Sequence, residues 1–394
     1  MASIIYHKGC ARMTWEMERI SLEGSAQTIV DSLLQHAACL GVSDIHIEPL
    51  QETVGIRFRR DGVLFPAGEL PKTALETITA RIKIMAALDI ANKRLPQDGR
   101  LVWRKDGRVI DMRVSTMPTI RGEKTVIRLL DAGSVALHLD RLGMEPETVR
   151  LLRQLIHSHS GLFILSGPTG SGKSTTLYAA LQELHSSEIS IATLEDPVEY
   201  RLQGISQSQI NSKSGLEFQN GLRALLRQDP DVLVIGEIRD AETARIAIRA
   251  ALTGHLVFTT LHAASAAEAP VRLIDMGIEP YLVADALIGI ASQRLARRFC
   301  PQCLGRKRQN EDKAAAADLR CSYCFNSGYA GRFCLCEIIP VKTHVRATIR
   351  QNGGIHNIRK AAAADGAVFM EAVIKRALQE NKTDRAEIER IYDM

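Results

Sequence analysis

Between Gly161 and Leu184 the chain reads GLFILSGPTGSGKSTTLYAALQEL, and no other stretch limits the fold as much. A short apolar run suits a buried strand. A glycine-rich turn follows, then Lys173, Ser174 and Thr175, then apolar residues at helical spacing. The segment Gly167, Pro168, Thr169, Gly170, Ser171, Gly172, Lys173, Ser174 satisfies the P-loop pattern in the strand–turn–helix context it requires. The glycines let successive N–H groups, through to Thr175, point at one anion. The helix start adds roughly half a positive charge at the same spot. This geometry suits a nucleotide: Lys173 reaches the β- and γ-phosphates, and the Ser174 hydroxyl ligates Mg²⁺. ATP is preferred to GTP, because Asn92–Lys93 lacks the aspartate of a guanine-reading motif.

The neighbouring segments set the organisation. Ile29, Val30, Leu33, Leu34, Ala37 and Leu40 follow helical spacing, and Gly41 supplies a stop. SDIHIEP and VGIRFRRDGVLF alternate, with Asp61–Gly62 as a hairpin turn. Residues 72–92 read as a helix. Two more strands flank a second turn at Asp106–Gly107, and a strand over Thr125–Leu130 follows. Residues 25–135 thus form a small α+β domain after an extension over 1–24, and 136–150 form a linker. Strands at Phe163–Ser166, Ile189–Leu194, Val232–Gly236 and Leu256–Leu261 then alternate with helices at Ser174–His185, Phe218–Gln228, Ala241–Leu252 and Ala266–Met276. That alternation predicts an α/β domain over 151–294, with helices on both faces of a parallel sheet. A cysteine-bearing subdomain spans 295–340, and a helical region spans 341–394.

A phosphate cradle binds nucleotide but needs carboxylates at adjacent strand ends to hold Mg²⁺ and orient water. IATLEDPVEY ends a strand with Glu195, Asp196 and Glu199; DPDVLVIGEIRD ends another with Glu237. Glu199 follows the proline that stops its strand and is placed to polarise the attacking water. Glu237, after an apolar run, is placed to act on Mg²⁺ through water. TGHLVFTTLHA is a further strand flanked by His255 and His262, residues suited to donate to phosphates or sense their loss.

Of eight cysteines, six lie between 300 and 336. Cys300-x2-Cys303 and Cys321-x2-Cys324 are two knuckle-forming pairs that close a tetrahedral thiolate site. Zinc suits it, with an iron–sulfur cluster as the alternative, and the site keeps no open position for catalysis. Its role is to fold a stretch too poor in apolar residues to fold alone. Cys334 and Cys336 alternate along a strand and are expected to be buried or spare.

The first twenty or so residues lack the apolar core of a signal peptide. The uncharged stretches Gln154–Gly172 and Ala250–Ala267 are too rich in Ser, Thr, Gly and His to span a membrane. The expected location is cytoplasmic. A net charge of +5 tolerates nucleic acid or an anionic membrane but demands neither. A DNA-translocating or helicase-like motor would share the P-loop core and the tetra-cysteine site. With 5% aromatic residues, the chain shows no basic stripe interleaved with aromatics, so nucleic acid is not the expected partner.

GPTGSGKSTTLYA, TLEDPVEY, LRQDPDVLVIGEIRD and TGHLVFTTLHA stand in the order of the Walker A, Asp box, Walker B and His box of the secretion-superfamily ATPases. The chain resembles, within that superfamily, the type II secretion and type IV pilus assembly motors. SDIHIEP, RFRRDGVL, RLPQDGR, DMRVSTMPT and GYAGR agree with this, so the resemblance covers residues 25–394. It implies a RecA-like P-loop domain preceded by a PAS-like α+β domain. It also implies a homo-oligomer, a hexameric ring, that hydrolyses ATP to drive an inner-membrane platform protein and so assemble pilin-like subunits. Membrane association would be peripheral, through partners. In the family, N-terminal arginines close over the γ-phosphate; Arg100 and Arg113 match them, with Arg128 a weaker match. Glu199 matches the water-activating glutamate, Glu237 the Walker B carboxylate, and His255 and His262 the His-box pair. The cysteine insert resembles that of assembly and secretion motors rather than retraction motors. Many members carry a further N-terminal docking domain; about 24 residues precede the small domain here, so the chain reads as a short or truncated member.

Overall fold

The computed structural model describes residues 24–105, 108–130, 137–305, 321 and 323–392. Contacts divide the chain into two compact units: the residues up to 135 with 305–328, and 136–304 with 329–394.

The first unit opens with α1 (Ala26–Leu40). Ser25 caps its start by accepting the Thr28 amide, and Gly41 ends it in the left-handed region at φ 64°. Its apolar stripe packs on a six-stranded antiparallel sheet of β1 (Asp44–Pro49), β2 (Thr53–Arg60), β3 (Val63–Pro71), β4 (Gln97–Lys105), β5 (Arg108–Thr119) and β6 (Gly122–Leu130), ordered β3-β2-β1-β6-β5-β4. Asp61 and Gly62, at φ 50° and 83°, supply the paired positive angles of a two-residue hairpin turn. The second expected turn, Asp106–Gly107, lies outside the described residues. The helix expected over 72–92 is shorter: a 3₁₀ turn at 72–74 leads into α2 (Leu75–Met85). Beyond it side chains satisfy the backbone locally. Asp89 accepts the Ala91 amide at 2.9 Å, and Gln97 donates to the Asp89 and Asn92 carbonyls.

The second unit is doubly wound. Its seven-stranded sheet comprises β7 (Gly161–Ser166), β8 (Ile191–Glu195), β9 (Ser206–Gln209), β10 (Val232–Ile235), β11 (Leu256–Leu261), β12 (Leu287–Phe299) and β13 (Tyr329–Pro340), ordered β13-β12-β7-β11-β10-β8-β9. Pairs from β12 to β9 are parallel; β13 runs antiparallel on β12. The helices α3 (Pro146–Ile156), α4 (Lys173–Leu184), α5 (Phe218–Leu225), α6 (Ala241–Leu252), α7 (Glu268–Asp275), α8 (Pro280–Ala286), α9 (Thr343–Arg350), α10 (Ile355–Ala364), α11 (Met370–Gln379) and α12 (Arg385–Ile391) complete it. Apolar cores lie on both faces, as the fully buried strands β7, β10 and β11 require.

One difference from the sequence reading bears on function. Residues 295–299 and 329–340, read as part of a cysteine subdomain, are the end of β12 and the whole of β13, registered Leu295 to Cys334 and Ala296 to Phe333. Their alternating apolar residues are buried in the main sheet, Cys334 and Cys336 among them.

Candidate active site

The cradle follows β7 directly. Gly167, Gly170 and Gly172 sit at φ 141°, 79° and 88°, angles that other residues rarely adopt. A Cβ on Gly167 would lie 2.6 Å from the Gln293 carbonyl, so a larger residue has no room. Helix α4 starts at Lys173, leaving the amides of its first turn at the mouth of the loop, with Ser174 exposed beside them. Lys173 Nζ donates to the carbonyls of Gly167 (2.7 Å) and Pro168 (3.1 Å). Burial lowers the pKa of this ammonium, Glu237 opposes the shift, and Arg294 adds to it. Lys173, Glu237 and Arg294 are therefore electrostatic neighbours.

The sheet order explains that convergence. β7, β11, β10 and β8 lie side by side and parallel, so their C-terminal ends share one edge. Glu237 follows β10; its carboxylate pairs with Arg239 in a short ion pair and faces His262 Nε2 at 3.8 Å. Thr260 Oγ1 donates to the Gly236 carbonyl at 2.7 Å, and the Ile238 amide to the Thr260 carbonyl at 3.2 Å, stitching the ends of β10 and β11 together. Asp196 is exposed beyond β8 and reinforces the charge on Arg239. Glu199 is half-buried, with its amide bound to the Tyr178 hydroxyl on α4 at 3.2 Å.

Two assignments from sequence take different positions. Glu195 is buried, and its oxygens are engaged by Tyr178, Thr193 and Gln207 rather than facing the cradle. His255 lies at the far end of β11. Leu256 pairs with Gly161, whereas Leu261 pairs with Ser166, just before the cradle. Six residues at ~3.3 Å each set His255 about 20 Å from it. There its Nδ1 bonds the Ala250 carbonyl at 3.0 Å, at the end of α6. An apolar strand flanked by two histidines does not reveal from composition which flank meets the phosphates; strand direction decides it.

Sequence reasoning missed Gln293. It is fully buried on β12, and its Nε2 donates to the Ser171 carbonyl at 2.8 Å, clasping the P-loop from the neighbouring strand. Arg294 beside it donates to the Ala264 carbonyl at 2.8 Å, in the loop after His262. The available signal was the polar run Ser292–Arg294 following the apolar first half of the strand.

In the first unit, Arg100, Arg113 and Arg128 stand directly opposite one another on β4, β5 and β6. Asp44 continues the row, bound by Arg128 Nε at 2.9 Å and by Arg59 Nε at 3.6 Å. Side chains directly opposite in a sheet share a face, so the three arginines form one cationic row.

Cys300, Cys303, Cys321 and Cys324 bring their sulfurs within 4.8 Å of one another. A tetrahedral ion with metal–sulfur bonds of ~2.3 Å needs edges of ~3.8 Å, within reach of this group. Both pairs turn alike: Leu304 and Phe325, each following a pair, adopt φ 51° and 56°. The Leu304 amide donates to the Cys300 carbonyl at 2.7 Å, and the Asn326 amide to that of Cys321 at 3.2 Å. Four thiols in matching knuckles suit a soft, closed metal site.

Residues 21–390 match the family described as type II/IV secretion system protein. The chain belongs to that family. It is 46% identical over 363 residues to type II secretion system protein HxcR of Pseudomonas aeruginosa, covering 92% of this chain and 76% of that protein. It is 49% identical over 331 residues to type II secretion system protein E of Dickeya dadantii, covering 82% of this chain and 66% of that protein. Type II secretion system ATPase E of Vibrio cholerae is 45% identical over 344 residues, covering 84% of this chain and 68% of that protein. Among solved structures, the Legionella pneumophila ATPase DotB shares the fold at a TM-score of 0.70 with 22% identity, covering 94% of this chain and 96% of its own. The pilus retraction motor PilT with bound ADP aligns at a TM-score of 0.58 with 25% identity, covering 91% of this chain and 98% of its own. The protein is a P-loop ATPase of the secretion and pilus-motor class. Among the described residues no helix is long and apolar enough to cross a membrane.

Proposed function

We propose that the protein is the hexameric motor of a type II secretion or pilus assembly machine, working at the cytoplasmic side of an inner-membrane platform protein. The observation that carries this reading is the convergence of Lys173, Glu237 and His262 where parallel strands end. ATP binds over Gly167–Thr175, with Lys173 on its terminal phosphates. When bound, Mg²⁺ neutralises charge on the phosphates, with Ser174 as its protein ligand and Glu237 acting on it through water. Glu199 orients the attacking water, and His262 reports the γ-phosphate. Arg100 and Arg113 close over the phosphates, where their fixed charge offsets the charge developing in the transition state. Cys300, Cys303, Cys321 and Cys324 hold zinc as a structural ion. Alternating closure and release around the ring moves the platform and inserts pilin-like subunits.

Steady-state ATPase assays test this. Lys173→Ala should weaken nucleotide binding. Glu237→Gln should leave nucleotide bound but slowly hydrolysed. Undiminished turnover in both variants overturns the assignment. Stimulation by acidic lipid or by a cytoplasmic fragment of the platform supports the secretion motor; stimulation by single-stranded DNA supports a nucleic-acid motor instead.

A further inference from the structure

Tyr178 is fully buried one turn and a half into the helix that Lys173 begins. Its hydroxyl joins the Glu195 carboxylate to the backbone of Glu199 and Tyr200. It donates to Glu195 Oε2 in a short hydrogen bond, and it accepts the amide of Glu199 at 3.2 Å. The other carboxylate oxygen, Oε1, is taken by Thr193 Oγ1 at 2.6 Å and by Gln207 Nε2 at 3.3 Å. Gln207 then holds the rest of the segment: its Nε2 donates to the Tyr200 carbonyl at 3.0 Å, and its Oε1 accepts the Leu202 amide at 2.7 Å. The Tyr200 ring packs edge-on against Tyr178, with centroids 6.0 Å apart.

A phenol donates one proton and still accepts. Burial, and the Glu195 carboxylate beside it, push the Tyr178 pKa well up, so the hydroxyl keeps its proton. That proton is spent on Glu195, which leaves a lone pair for the Glu199 amide. Glu195 is thereby the anchor of the phenol. Lys173 and Tyr178 are five residues apart on one helix, a rise of ~7.5 Å. A path of one helix and one hydrogen bond therefore runs from the phosphate cradle to Glu199, and the bond to Glu195 holds the phenol in place along it.

We propose that Tyr178 is a positioning residue that fixes the distance between the P-loop helix and Glu199. The proposal rests on the reading of Glu199 as the water-orienting group, and it gives Glu195 the task of holding the phenol. A carboxylate that must point at water gains from such a strut, because small misplacements of a catalytic group cost rate steeply.

The test is Tyr178→Phe in the full chain, which removes one oxygen and keeps the ring. Turnover at saturating Mg-ATP should fall about 10-fold, the scale of one buried hydrogen bond, while KM for ATP moves less than about 3-fold. Hydrogen exchange should quicken in residues 196–202 and stay unchanged in β7. In a Glu199→Gln background the same change should cost no further turnover, because both act through one group, whereas losses in Tm should add. Wild-type turnover in Tyr178→Phe, or an equal fractional loss in both backgrounds, overturns the proposal. If Glu199→Gln alone retains wild-type turnover, the assignment of Glu199 has failed and the strut with it. A normal loss in Glu199→Gln with none in Tyr178→Phe fails the strut alone. Should Tyr178→Phe not fold, Gln207→Leu releases the same segment from β9. It should show the same split between turnover and KM, and unchanged turnover there overturns the proposal.

Discussion

His255 and His262 stand at opposite ends of one strand, β11: the first bonds the carbonyl of Ala250 at 3.0 Å, and the second faces Glu237 at 3.8 Å. Their substitutions should separate cleanly. His255→Ala removes a hydrogen bond at the end of α6 and should cost about 1 kcal/mol of stability, with turnover within about twofold of wild type. His262→Ala should lower ATP turnover at least about 10-fold and leave Tm unchanged, because its ring is largely exposed. Paired ATPase and thermal-unfolding measurements check this; the opposite pattern would return His255 to the active site.

Gln293 reaches the P-loop from β12, with Nε2 on the Ser171 carbonyl and its backbone carbonyl against Gly167. Gln293→Leu keeps most of the volume and removes the clasp. ATP affinity should fall about 10-fold, with unfolding little changed. Gly167→Ala should be more severe, since its Cβ would meet that carbonyl at 2.6 Å. Titration calorimetry with ATP measures both. Equal affinity in Gln293→Leu and wild type would make the contact incidental.

The proposed zinc site takes its ligands from the four cysteines and none from the P-loop, so chelation should be a local event. A chelator should quicken hydrogen exchange across the cysteine-bearing segment between β12 and β13, while the strands stay protected by their pairing in the main sheet. ATP affinity should stay within about twofold. Loss of ATP binding on chelation would show that the metal supports the nucleotide site directly.

Much of this was legible in the chain. The P-loop, the strand alternation and the cysteine pairs are local patterns whose spacing is their geometry. Helix α6 and strand β11 fall at the residues their apolar periods mark. What escaped depended on neighbours distant in sequence. Gln293 meets Ser171 across 122 residues. Glu195 resembles Glu199 and Glu237 as a strand-end carboxylate, yet it turns inward because Tyr178, on a separate helix, offers a buried donor. Residues 295–299 and 329–340 read as insert because the cysteines between them dominate the composition; β13 pairs along β12, whose earlier residues pair with β7, and so both belong to the sheet.

The C-terminal helix is held by charge. The Glu387 carboxylate is fully buried and accepts from Arg297 Nη2 at 2.6 Å, Arg297 Nε at 2.9 Å, and Arg390 Nη2 at 2.6 Å. The Arg297 guanidinium also lies 4.2 Å over the Tyr329 ring, and the Tyr329 hydroxyl donates to Asp384 at 2.8 Å, at the cap of α12. Glu387→Ala should leave Arg297 buried without its counter-charge and cost about 3–5 kcal/mol, read as a large drop in Tm. The pH dependence has a definite sign. Burial raises the Glu387 pKa, but Arg390 and Arg297 outweigh it and hold the carboxylate below its ordinary 4.5. The folded state therefore favours the charged form. Its contribution is present above about pH 4.5 and is lost as pH falls through the lower folded value. Comparing Tm against pH for wild type and Glu387→Gln checks this: the wild-type curve should fall more steeply below pH 4.5, and parallel curves would show that the carboxylate's charge does not hold α12 in place.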